Sequence, residues 1–156
     1  MPLPADTKAF FEFVAKGDIS CIQFLEAFVT IVGLADDAVD RDLDAGSRQD
    51  MMVQLLWLVM VSLPRNVFYA THQVALSGVL GQALILWQTS DDWKLSGDDR
   101  RRHFAYVHRE AVDAVFIMVA GIMGGASHAR DVVERIMDDV HATNDTFPQW
   151  AEENDR

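Results

Sequence analysis

The middle of the chain, residues 51–90, contains no acidic residue, and its only formal charge belongs to Arg65. Residues 1–50 hold ten acidic side chains and residues 91–156 hold fourteen, within a total net charge of −11. Forty residues with so little charge are expected to be buried, either at the centre of the fold or in an interface between subunits. The strongly negative net charge argues against nucleic acid or an anionic membrane surface as a partner, because both require a basic surface.

Helical signals recur along the whole sequence, whereas strand signals are absent. There is no sustained alternation of apolar and polar residues and no Asn-Gly or Asp-Gly hairpin turn. Glycines and Pro64 punctuate apolar segments that have helical spacing. The pattern predicts helices near residues 5–16, 20–44, 48–63, 66–93, 99–123 and 127–143. We therefore expect an all-α fold, a single-domain antiparallel bundle of five to six helices over residues 1–156, with 145–156 as a polar tail.

The chain has no evident targeting or membrane segment. Its single cysteine, Cys21, excludes an internal disulfide and is typical of a reducing compartment. No basic N-terminal region precedes an apolar run, and the apolar runs 51–63 and 115–125 are shorter than the roughly 18 residues of a membrane span. We expect a cytoplasmic protein that does not contact a membrane.

Four aspartates lie between residues 36 and 42, at the C-terminal end of an apolar predicted helix. Carboxylates are disfavoured there, because the end of a helix carries partial negative charge. Asp36 and Asp40 are one helical turn apart and can converge on one cation, with Asp37 in reach. A site with only oxygen ligands favours Mg2+ or Mn2+. The alternative is that these acids form the hydrated face of an amphipathic helix.

A second acidic group lies on the predicted helix 99–123. Glu110 and Asp113 are three residues apart, and Asp113 interrupts the apolar stretch 111–118. A buried carboxylate is costly unless a cation or an ion pair compensates it, and Arg109 or Arg65 could form such a pair. The predicted catalytic residues are Glu110, Asp113 and Arg109, and the predicted metal ligands are Asp36, Asp37, Asp40, Glu110 and Asp113.

Further polar side chains are candidates for substrate binding. Asn66 and Tyr69 begin a polar stripe on an otherwise apolar predicted helix, where they either bridge helices or line a cavity. The run Arg100–Arg102 could clamp phosphates, or Asp98 and Asp99 could neutralise it. Asn66, Tyr69 and Arg102 are the predicted substrate-binding residues.

Two enzyme families share parts of these motifs. The segment 36–40, Asp-Asp-x-x-Asp, resembles the aspartate-rich motif of class I isoprenoid synthases, which implies an all-α fold that binds Mg2+ and a diphosphate. Asn144, Asp145 and Glu152 share part of the spacing of the second metal motif of terpene synthases, with Pro148 at the usual serine or threonine position.

The pair Glu110-x-x-Asp113, followed by an apolar run, is similar to the E-x-x-D helix of the all-α nucleotide pyrophosphatases. Those enzymes add an E-x-x-E pair from an earlier helix. By that resemblance, Asp36 and Asp40 would take its place.

The whole-chain pattern resembles a group of small helical proteins encoded by tailed phages and prophages. The resemblance covers residues 20–140 and is carried by segments 36–42, 63–69 and 106–113 and by the Gly124-Gly125 pair. It implies a phage origin, and therefore the host cytoplasm or the virion as location.

We therefore expect a Mg2+- or Mn2+-dependent protein that hydrolyses or transfers a group at a diphosphate of a small phosphorylated molecule. The alternative is a non-catalytic protein of phage assembly or of the virion, which associates with itself through residues 51–90.

Overall fold

A computed structural model describes residues 6–40, 44–141 and 146–154, apart from the side chains of residues 39, 40, 45, 153 and 154. These ranges contain helices and no strand, which confirms the all-α prediction. Seven helices lie in the described ranges, where the sequence predicted five to six for the chain. They are α1 (Thr7–Val14), α2 (Ile19–Asp40), α3 (Ala45–Trp57), α4 (Val67–Trp93), α5 (Asp99–His108), α6 (Asp113–Arg135) and α7 (Phe147–Asn154).

Two of these helices continue into a π-helical turn. Leu58–Ser62 extends α3 and leads into a last helical turn, Leu63–Arg65. Ile136–Val140 extends α6, and the amide of His141 donates to the carbonyl of Ile136 over 3.0 Å. A π turn contains one residue more than an α turn, so it changes which side chains share a helix face.

The described chain divides into two compact units, Asp6–Gln73 and the part from Val74 onward. Helix α4 belongs to both, and its helical geometry is interrupted at His72, where φ is −111° and ψ is 15°. The prediction of one domain with a polar tail stays a prediction. Within that predicted tail, residues 147–154 form α7.

The core of the first unit is formed mainly by aromatic side chains of α1 and α2. Phe24 has no exposed surface, and its ring centroid lies 5.6 Å from that of Phe68 and 6.3 Å from that of Phe28. Phe10 and Phe11 of α1 are also buried. Burying side chains of this size is the main source of stability for such a unit.

The start of α2 differs from the sequence prediction. The sequence predicted a helix from residue 20, but the carboxylate of Asp18 accepts a hydrogen bond from the Cys21 amide at 2.8 Å, and α2 begins at Ile19. Asp18 lies two residues earlier and offers a stronger, charged acceptor, so it takes the capping position. The Ser20 hydroxyl instead accepts a hydrogen bond from the Phe68 amide at 2.9 Å.

The predicted helix 99–123 is broken in the second unit. Helix α5 ends at His108, α6 begins at Asp113, and the segments 99–108 and 113–140 are bent by 45°. At Gly125, where the sequence predicted a helix end, α6 has a kink with φ +75°, a conformation that favours glycine. A Cβ atom on Gly124 would lie 2.6 Å from Cβ of His128, so that position has no room for a side chain.

Residues 51–90 are not the centre of the fold. Of these forty residues, 22 are exposed and only six are buried. Ten large apolar side chains are exposed in this segment: Met52, Val53, Leu56, Trp57, Val59, Met60, Val67, Val74, Leu84 and Ile85. This exposure contradicts the expectation of a buried centre, and the second expectation for this segment, an interface between subunits, stays a prediction.

By length and composition alone, one helix of the described chain could cross a membrane. It is Ile19–Ala38, with a mean hydropathy of 1.6 and 22% of its most apolar window buried. The number of candidate membrane spans rises to three if each of two bent helix pairs is counted as one span. The apolar runs considered from the sequence did not include this helix, and the expectation of a cytoplasmic protein without membrane contact stays a prediction.

Candidate functional site

The candidate site of the second unit is built on the turn that separates α5 from α6. Between residues 108 and 115, four backbone hydrogen bonds join residues three positions apart, for example Asp113 N to Glu110 O at 3.0 Å. This tighter turn buries Val112 and leaves Arg109, Glu110 and Asp113 half-buried. Both predicted catalytic carboxylates therefore lie at one break in the helix.

Asp113 is paired with His141, which follows the π turn at the end of α6. Asp113 Oδ2 lies 2.6 Å from His141 Nε2, and the two side chains are only 16% and 11% exposed. The sequence had suggested Arg109 or Arg65 as the ion-pair partner. Arg109 pairs with the neighbouring carboxylate instead, and Arg65 is exposed in the first unit.

Glu110 is held by Arg109. Arg109 Nε lies 3.3 Å from Glu110 Oε1, and the guanidinium carbon lies 4.5 Å from the centroid of the Tyr106 ring. The Nε group is buried, and within the described part of the chain it has no acceptor in hydrogen-bond geometry. Its position is therefore fixed by the ion pair and by the cation–π contact.

Both carboxyl groups are displaced towards their neutral form. Burial raises the pKa of Glu110, and the charge of Asp113 raises it further, while His141 and Arg109 act in the opposite direction. Burial also raises the pKa of Asp113, against the hydrogen bond and the charge of His141. Any cation that approached these two groups would stabilise their ionised forms.

His141 is the partner of Asp113 that the sequence did not predict. It lies 28 residues from Asp113, near the end of a predicted helix, with no motif around it. A helical wheel could not place it, because the π turn 136–140 changes the register just before it. The only available signal was that Asp113, in an apolar stretch, needs a partner.

The first acidic group lies on the C-terminal part of α2, in the other unit. Asp36 and Asp37 are half-buried, and Asp40 is the last residue of the helix. The side chain of Asp40 and all of Asp42 lie outside the described residues. Convergence of this group with Glu110 and Asp113 on one metal ion stays a prediction.

Asn66 links two helices of the first unit. Its amide nitrogen donates to the carbonyl of Ser20 at 2.8 Å, and its Oδ1 accepts from the amide of Tyr69 at 2.8 Å, which caps α4. The ring of Tyr69 stacks on Phe24 with centroids 5.9 Å apart. This arrangement is the bridging role that the sequence left open, and it gives no support to substrate binding.

The three consecutive arginines have different contacts. Arg102 donates to the carbonyl of Ala151 in α7 at 2.9 Å, Arg101 lies over the ring of Trp93, and Arg100 is 3.8 Å from the carboxylate of Asp98. Asp98 also caps α5. These contacts hold helices together and do not gather the arginines into one clamp.

Among the described residues, no group of three or more histidine, cysteine, aspartate or glutamate side chains could hold a metal ion. Of the residues that resemble the second metal motif of terpene synthases, Asn144 and Asp145 lie outside this range. Glu152 is exposed on α7. A cation at the α5–α6 break would therefore need ligands from outside the described side chains, such as water or a substrate.

No protein-family model matches the chain, and neither a curated protein nor a solved structure does. The resemblances drawn from the sequence motifs stay predictions.

Proposed function

We propose that the protein is a divalent-cation-dependent enzyme that hydrolyses or transfers a group at a diphosphate of a small molecule. Glu110 and Asp113 would provide the protein ligands of Mg2+ or Mn2+. The supporting observation is that these two half-buried carboxyl groups share one helix break, each with its pKa raised by burial.

Two carboxylates are sufficient for this type of site. Mg2+ commonly binds one or two protein carboxylates and takes its remaining ligands from water and substrate phosphates. The lack of a three-residue metal group in the described chain is compatible with that mode of binding. The cation would neutralise phosphate charge and lower the pKa of a bound water.

Arg109 supplies the positive charge next to this pair. Its guanidinium is held against Tyr106 and Glu110, and its buried Nε group has no hydrogen-bond acceptor within the described residues. An arginine stabilises the negative charge that develops on a phosphate oxygen, and the exposed 22% of the Arg109 side chain is the part that could make this contact. His141 orients Asp113 through the 2.6 Å contact.

Thermal unfolding with Mg2+, with Mn2+, and with either ion plus inorganic pyrophosphate tests this proposal. At a cation concentration ten times the Kd, binding should contribute about 1.4 kcal/mol, or roughly 3–6 °C in Tm for a chain of this size. Pyrophosphate should increase the shift only when the cation is present. Asp113→Asn and Glu110→Gln should each abolish both effects.

Asp131→Asn is the matched control, because Asp131 is an exposed carboxylate on the same helix, α6. It should keep the full cation response. The proposal is wrong if neither ion changes the Tm of the native protein, or if Asp131→Asn removes the response as completely as Asp113→Asn does.

A second candidate function is the non-catalytic one, a self-associating protein of phage assembly or of the virion. The observation that favours it is the set of ten exposed large apolar side chains in residues 51–90. A large homogeneous oligomer, together with no response to cations, would support this candidate over the enzyme.

A further inference from the structure

Helix α3 and the π turn that follows it are apolar on two sides. Met51, Leu55 and Leu58 are half-buried on the side towards α2, with which this segment is in contact. The other side carries six exposed apolar side chains, which we call the outer α3 face: Met52, Val53, Leu56, Trp57, Val59 and Met60. A helix that is apolar all round is stable in water only when both sides are covered.

The exposures on the outer α3 face are large. Met60 is 69% exposed, Trp57 61% and Val53 59%. Tryptophan at such a position is typical of an interface centre, because one side chain removes up to about 250 Å² from water when it is covered. No formal charge lies between Asp50 and Arg65, so nothing on this face needs to stay hydrated.

We propose that the outer α3 face is an interface with a second copy of this chain, in which two α3 helices pack antiparallel around a twofold axis close to Trp57. This inference does not depend on the proposed enzyme function, because it uses only residues of the first unit.

The charge distribution permits a second copy at this face, although each copy is acidic overall. Each copy carries a net charge of −11, so two copies repel one another wherever their acidic surfaces meet. The segment 51–90 has no acidic residue, and the outer α3 face therefore allows two copies to approach without bringing carboxylates together.

The ends of the helix are complementary in the antiparallel arrangement. Asp50 lies seven residues before Trp57 and Arg65 lies eight residues after it, and both side chains are exposed. A twofold axis near Trp57 therefore brings Asp50 of each copy to the end that carries Arg65 of the other. A twofold interface repeats this pair, once at each end.

A bilayer is the other candidate occupant of this face, because the helix 46–65 and α4 together pass, by length and composition, as one bent membrane span. The charge-free apolar run 51–63 within that pair covers only about 20 Å at 1.5 Å per residue, against a hydrocarbon core of about 30 Å. A negative net charge also repels the anionic lipids that would otherwise attract the chain.

The mass of the full chain in detergent-free buffer, measured by light scattering and sedimentation equilibrium, tests the interface. We expect a dimer of the native protein. Met60→Glu should weaken association at least about 30-fold, the effect of losing a central interface contact. Leu95→Glu is the matched control, since Leu95 is as exposed as Met60 but lies outside the face, and it should leave the dimer intact.

The antiparallel geometry has its own test. Arg65→Glu should raise the dimer Kd about two- to fivefold, as expected for an exposed ion pair, and adding Asp50→Arg should restore the native value. Far-UV circular dichroism of each variant separates loss of association from loss of the fold.

Cross-linking avoids any disruptive substitution. Leu56→Cys lies beside the proposed axis, so oxidation should join two copies, whereas Leu95→Cys should not cross-link. Cys21 does not compete, because it is buried and burial raises the pKa of its thiol to about 12.

Three results would overturn the inference. The first is a native protein that stays monomeric at tens of micromolar, a concentration at which standard interfaces are occupied. The second is recovery of the native protein only from membranes with detergent, which would make lipid the partner. The third is equal loss of association in Met60→Glu and Leu95→Glu, which would mean that apolar contacts of no defined geometry hold the copies together.

Discussion

The outer α3 face and the α5–α6 break reverse the usual distribution of side chains in opposite ways. The first exposes six apolar side chains to water, and the second removes Arg109, Glu110, Asp113 and His141 from most of it. The second region compensates its charges internally, through two ion pairs. The first has nothing within its own unit to cover it. Buried polar groups can thus be satisfied by neighbouring side chains, whereas exposed apolar groups stay uncovered until something else packs on them.

The largest expected effect distinguishes covered from uncovered aromatic side chains. Phe24→Ala should lower the free energy of unfolding by about 3–5 kcal/mol, because Phe24 is fully buried among other rings. Trp57→Ala should change it by less than about 0.5 kcal/mol, because that ring is already in water. Denaturant unfolding of both variants in the Met60→Glu background removes any contribution from association. Similar losses in the two variants would show that Trp57 is covered within its own chain.

A smaller effect tests whether the buried charges depend on each other. His141→Ala should cost about 2–3 kcal/mol at neutral pH, because it leaves the Asp113 carboxylate without its partner. The loss should shrink in acid, where Asp113 becomes neutral. The double variant His141→Ala with Asp113→Asn should be more stable than His141→Ala alone. Strictly additive losses in this double-mutant cycle would mean that the pair is not coupled.

The smallest expected effect tests whether the ionised Glu110 side chain raises or lowers the free energy of unfolding. Its pKa is raised in the folded state, so the folded protein binds this proton more tightly than the unfolded chain, and stability falls as pH rises through the folded pKa. Glu110→Gln should therefore be more stable than the native protein at pH 7, by about 1 kcal/mol or less.

That advantage should disappear as the pH falls and the native Glu110 becomes protonated. Thermal unfolding from pH 4 to pH 8 follows both trends. Glu134→Gln, a change at an exposed carboxylate of α6, should show neither trend. A Glu110→Gln variant that is less stable than native at every pH would show that the ion pair with Arg109 outweighs the cost of burial.

The sequence was sufficient for the helical class and for most helix boundaries, because residues such as Gly17 and the N-capping Asp98 act through local geometry. Pro64 did not end its helix as predicted, because it lies in the last helical turn, Leu63–Arg65. It was not sufficient for the break at residues 109–112, which contains neither glycine nor proline. The break buries Val112, and no residue type within it marks a helix end.

The candidate site was also predictable only in part: the sequence indicated its carboxylates but not their partners. Glu110 and Asp113 stood out because carboxylates in an apolar stretch need compensation. The contact of His141 with Asp113 depends on the change of helical register at the π turn. The capping role of Asn66 depends on the nearby carbonyl of Ser20, to which its side-chain amide donates. Neither dependence can be obtained from spacing along a regular helix.

Because of the π turn 136–140, the contact between Asp113 and His141 depends on the number of residues between them as well as on which residues they are. A single-residue deletion within it would restore ordinary α-helical bonding and leave every helix-forming residue type available. It would also rotate His141 by about 100° around the helix axis, away from Asp113. Related chains that keep both residues but differ by one position in this interval would therefore be expected to lack the contact between them.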